Sequence, residues 1–120
     1  MSGETSFGDY LRARREALRS SDPRFSVRQV AQRIGVQPGF LSRVERDTQS
    51  PPSEAKIRAL ATELGEDPDL LLALAGKVSS DLRGIIVRRP ALFAKLLREL
   101  EAMPDHAVLR LVREVRDGDW

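Results

Sequence analysis

A chain of 120 residues with 41% apolar residues and a formal net charge of +2 is long enough to bury a core without covalent staples, and is near the usual size of one domain with an appended segment. It contains no cysteine and one histidine, His106, which excludes disulfides, thiolate metal sites, cysteine nucleophiles and histidine-rich zinc clusters and fits a reducing cytoplasm. Met1–Ser6 lacks the basic and apolar regions of a secretory signal, and the longest apolar run, Leu70–Ala75, is too short for a bilayer span, so the expected setting is cytoplasmic with no membrane partner.

No segment alternates like a strand, and helix punctuation recurs along the whole chain. Ser6 with Asp9 opens a first helix carrying Phe7, Tyr10, Leu11 and Leu18 and ending near Ser20. Ser21–Phe25 reads as a mobile loop holding Pro23 and Arg24. Ser26 with Gln29 opens a second helix with Val27, Val30, Ala31 and Ile34, which Gly35 terminates. After the turn Val36-Gln37, Pro38 takes the first position of a short third helix with Leu41 and Val44 inward. A polar, proline-rich connection follows from Asp47 to Pro52. Ser53 caps a fourth helix with Ile57, Leu60, Ala61 and Leu64 inward and Gly65 at its end; Asp67-Pro68 starts a fifth, reaching Ala75 before Gly76. Ser79 or Ser80 caps a sixth helix with Leu82, Ile85 and Ile86. Pro90 opens a seventh and Pro104 an eighth, and Asp117–Trp120 reads as a frayed end. The expected fold is therefore all-α: five helices over residues 1–76, then about three amphipathic helices over 77–120.

Charge is unevenly spread. Residues 1–46 carry nine basic and five acidic side chains, whereas residues 47–76 carry two basic and six acidic. Such a division predicts one basic side that a polyanion would approach, although Arg-rich helix faces are equally compatible with plain solvation.

The second and third helices with the turn at Gly35 form a helix-turn-helix pattern, in which the second of the pair can enter the major groove. Ala31 lets the two helices pass closely, Gly35 permits a positive φ, and Val36 and Leu41 seal the junction. Together with Leu41-Ser42-Arg43-Val44-Glu45-Arg46, Pro52-Ser53, Leu60-Ala61, Leu64-Gly65 and Asp67-Pro68, this array resembles the phage repressor/Cro family of transcriptional regulators, also called the xenobiotic-response-element family, over roughly Phe7 to Ala75. The resemblance implies a compact five-helix domain whose second helix seats on phosphates and whose third reads bases of double-stranded DNA.

Two positions depart from that pattern. Pro38 and Gly39 stand where the family's first base-reading side chains fall, so readout shifts to Gln37, Ser42 and Arg43, with Gly39 allowing close backbone approach. Arg43 suits a bidentate contact to guanine O6 and N7; the alternative is a phosphate-bound or solvated arginine. Asp47 stands where the family often has glycine, which places a negative charge near DNA. Ser26, Arg28, Arg46, Thr48, Gln49 and Ser50 are the phosphate candidates. Arg15 and Glu45 match a pair that in family members bridges the first and third helices.

Catalysis has no constellation to stand on; neither an enzyme, a cofactor nor a metal is expected. The last third carries Leu92, Phe93, Leu96, Leu97, Leu100, Val108, Leu111 and Val112 at helical spacing, more apolar side chain than three short helices leave in water. The expected outcome is a homodimer acting as a repressor on a palindromic operator. The alternative is an antitoxin-like or adaptor protein whose tail captures a protein partner while the helix-turn-helix binds its own promoter.

Overall fold

The computed structural model describes residues 5–118, and among them every regular element is helical. The sequence expectations for Met1–Glu4 and for Asp119–Trp120 lie outside the described residues. The chain divides between Ser79 and Ser80 into two compact units.

The first unit contains α1 (Phe7–Arg19), a 3-10 turn (Pro23–Phe25), α2 (Val27–Ile34), α3 (Pro38–Glu45), α4 (Glu54–Leu64) and α5 (Pro68–Leu74). Four of the starts are fixed by side-chain oxygens. Ser6, Ser26 and Ser53 accept from the backbone N–H of Asp9, Gln29 and Lys56 at 3.0, 3.2 and 3.3 Å, and Asp67 accepts from Asp69 N at 2.9 Å, pairing amides that a helix start leaves orphaned. Gly35 and Gly65 end α2 and α4 in the left-handed region, at φ 77° and 66°. There the N–H of Val36 and Glu66 reach back to the carbonyls of Ala31 and Ala61, closing the helix ends.

All five helices contribute to one buried cluster: Phe7 and Leu11; Val30, Ala31 and Ile34; Leu41 and Val44; Ile57, Leu60, Ala61 and Leu64; Leu71 and Leu72. Burying each large aliphatic side chain contributes about 1.5–3 kcal/mol, so this cluster is the main favourable term holding the helices in register.

The segment Ser21–Phe25 differs from its expected mobile loop. Asp22 caps the 3-10 turn by accepting from Arg24 N, and also pairs with the Arg24 guanidinium at 2.9 Å. Phe25 lies under the Arg33 guanidinium, 5.3 Å from ring centroid to charge, and Arg33 is itself paired with Glu63. A local cap and a cation–π contact thus order a stretch whose composition reads as irregular.

The second unit contains α6 (Ser80–Arg88), α7 (Pro90–Glu101) and α8 (Asp105–Asp117). Pro104 occupies the cap position of α8 rather than its first helical position. The helix α8 runs through Asp117, with Arg116 in a last turn where a cation complements the carbonyl end, and Gly118 follows in an extended conformation. None of the described residues in these three helices is buried. Among the described residues no helix is long and apolar enough to cross a membrane, and no cluster of His, Asp or Glu is placed to hold a metal ion.

Candidate nucleic-acid interface

The outward face of α3 is built from its first turn. Gln37 takes the cap position but makes no side-chain capping bond, Pro38 and Gly39 follow, and all three are exposed. Leu41 and Val44 turn inward, which leaves Ser42 half-buried and Arg43 exposed. A Cβ added at Gly39 would lie 3.3 Å from Arg43 Nη1, so the guanidinium lies back along the helix over the bare glycine backbone. Ser42 Oγ accepts from Arg46 Nη1 at 2.8 Å.

Two contacts fasten α3 to α1. Arg15 and Glu45 are both buried, at 3% and 5% exposure, and meet as a bidentate pair with Nε–Oε2 at 2.6 Å and Nη2–Oε1 at 2.8 Å. Arg15 also donates to the Phe25 carbonyl and to Glu16, so its donors are distributed over three elements. The hydrogen-bonded Glu45 carboxylate holds the Arg15 guanidinium above its ordinary pKa, against the opposing effect of burial.

The second contact involves Asp47, the only non-glycine residue with positive φ among those described, at 58°. Its Oδ2 accepts from Ser6 Oγ at 2.6 Å and its Oδ1 from Gly8 N at 3.1 Å. The carboxylate therefore sits at the start of α1, where a helix favours negative charge. Gly8 makes this approach possible: a Cβ there would lie 2.4 Å from the Val44 carbonyl oxygen and 2.6 Å from Asp47 Oδ1.

The phosphate candidates divide by what already engages them. Ser26 caps α2, and Thr48 Oγ1 donates to the Arg43 carbonyl at 3.2 Å, which spends its hydroxyl hydrogen on the end of α3. Thr48, Gln49 and Ser50 share the wall of a cleft of about 410 Å³ with Phe7, Val44, Asp47 and Pro51. Arg28 is exposed on the first turn of α2. Arg14, Arg15, Arg24, Arg33 and Arg58 are held in ion pairs, and Lys56 and Lys77 donate to the carbonyls of Ile34 and Pro52.

In the second unit Leu92, Leu96, Leu97 and Val112 are exposed at 65, 41, 55 and 51%, and Phe93, Leu100, Val108 and Leu111 are half-buried. The expectations did not include Gly8, Arg12 or the clasp made by Asp47. Gly8 carried a legible signal, a glycine in the first turn of a helix, where it costs stability unless space demands it.

A family model described as a helix-turn-helix domain matches residues 6–74, which span α1 to α5. No curated protein and no solved structure matches the chain significantly.

Proposed function

The chain belongs to this family of helix-turn-helix domains, and from that premise we propose that it is a sequence-specific DNA-binding transcriptional regulator of the repressor/Cro type, working in the cytoplasm without cofactor or catalytic chemistry. The observation that carries the reading is the outward face of α3, which presents Gln37, Gly39, Ser42 and Arg43 while Glu45 and Asp47 tie the same helix to α1. Rigid backing is what base readout needs, because a bidentate contact to a base edge tolerates little misplacement. Arg43 reads a guanine, Gln37 and Ser42 contact neighbouring bases, and Gly39 lets the backbone close on the groove. Ser26, Arg28, Arg46, Gln49 and Ser50 seat on phosphates, with Thr48 holding the end of α3 beside them.

The regulator acts as a repressor and pairs through the second unit to read a palindrome, with residues 1–76 binding DNA and residues 77–120 dimerising. The exposed side chains of Leu92, Leu97 and Val112 also favour a second reading, an antitoxin-like or adaptor protein whose tail takes a protein partner. Selection of bound sequences from random duplexes, followed by titration over a salt series, tests the proposal. An inverted repeat with half-site centres about 34 Å apart and an affinity that falls steeply with salt are expected. Weak, salt-insensitive binding with no enriched sequence would overturn it and leave a helix-turn-helix fold used for protein contacts.

A further inference from the structure

We infer that Arg12 and Arg46 hold one phosphate of the DNA backbone between them, in a notch formed where α1, α2 and α3 converge; this rests on the DNA-binding reading above. The notch measures about 210 Å³, and Arg12, Val27, Ser42 and Arg46 line it together with the buried Arg15–Glu45 pair and Glu16. Its charges do not cancel. Glu45 is taken up by Arg15, and Glu16 lies 3.0 Å from Arg15 and 3.9 Å from Arg19. The remaining cations are Arg12, which makes no side-chain bond among the described residues, and Arg46, whose one side-chain bond is to the neutral hydroxyl of Ser42. That bond orients a guanidinium without neutralising it.

A phosphodiester fits this arrangement better than a carboxylate side chain of the protein would. Two guanidinium groups lining one notch, Arg12 from α1 and Arg46 from the end of α3, match an anion with several acceptor oxygens, and Ser42 lines the notch beside them. Arg12 thereby acts with α3 although it belongs to α1. It fixes the register of the domain on the duplex and carries no base preference.

The test is a salt series on the selected duplex with full-length protein and Arg12→Gln, Arg46→Gln, the double variant, Arg28→Ala and the charge-loss control Arg58→Gln. Arg12→Gln is expected to weaken binding roughly tenfold and to lower the log–log salt slope by up to about 0.9, with sequence preference unchanged. Because one phosphate is shared, the losses from Arg12→Gln and Arg46→Gln should be non-additive, whereas those from Arg12→Gln and Arg28→Ala should add. If Arg12→Gln keeps the wild-type slope while Arg28→Ala lowers it, the notch is not a phosphate site and the DNA-binding reading stands. An equal loss for Arg58→Gln, or strict additivity with Arg46→Gln, would reduce the effect to bulk charge and overturn the inference. If the wild-type protein itself shows no salt-dependent binding, both fall together.

Discussion

In the proposed readout Arg43 is the central side chain, and its setting suits a helix that starts with proline and glycine. Gly39 leaves room for the guanidinium to rest along the helix, and no ion pair engages Arg43 there among the described residues, so swinging into a groove breaks no strong contact. Arg43→Ala should therefore weaken binding to the selected site by about 1–3 kcal/mol and flatten preference at one base pair of each half-site. Competition against unrelated DNA checks this. Equal losses on specific and unrelated duplexes would make Arg43 a phosphate clamp. The sequence exposed this residue because its position on a short helix, between the inward Leu41 and Val44, suffices to point it outward. Asp47 was legible only in part: a left-handed aspartate in place of glycine could be foreseen, but its partners Ser6 and Gly8 lie 41 and 39 residues away. What reads locally as an unfavourable charge near DNA is a carboxylate at the start of α1.

The packing of α1 against α3 depends on one ion pair and one absent side chain. Gly8 lets the carbonyls of Val44 and Glu45 come within 2.4 and 2.8 Å of where a Cβ would stand, and Arg15–Glu45 joins the helices about two turns further along the same face of α1. Breaking a buried pair strands a charge, whereas replacing both partners by apolar groups of similar volume does not. Glu45→Ala is thus expected to destabilise the domain by about 3 kcal/mol in urea unfolding followed by circular dichroism, at the low end because Arg15 keeps Glu16 and the Phe25 carbonyl. Arg15→Met with Glu45→Leu should recover most of that stability yet bind DNA less tightly than wild type, since the polar tie that orients α3 is gone. Full recovery of affinity would mean that packing alone sets the angle of α3. Helix starts and stops were legible because Ser, Asp, Pro and Gly act within a few residues of the ends they fix. The 3-10 turn was not, because Arg33 and Phe25 order it across elements.

At the level of the whole chain, the two units differ in kind. The first closes on a cluster contributed by all five of its helices, and the second, α6 to α8, buries no described residue while leaving Leu92, Leu97, Leu109, Val112 and Val115 more than half exposed. The apolar periodicity of these helices was plain in the sequence, but periodicity gives a face and not its occupant. A second copy is the occupant proposed here; a specific interface buries at least about 1,000 Å² in total, and the exposed apolar side chains of α7 and α8 are the surface it would cover. Truncation after Ser79 is the informative cut, because Lys77 is tied to the Pro52 carbonyl at 3.0 Å and Ser79 is buried at 1% exposure. The shortened protein should stay folded and monomeric, bind a half-site weakly, and lose the roughly hundredfold or greater avidity of a two-half-site duplex. Leu97→Asp in the full chain sets a charge on the exposed stripe, where it disturbs association more than folding, and should reproduce the same loss with helicity intact. Light scattering and titration of one-site and two-site duplexes decide the matter: a truncated protein that remains dimeric, or a full-length protein that is monomeric at micromolar concentration, removes the dimer from the mechanism.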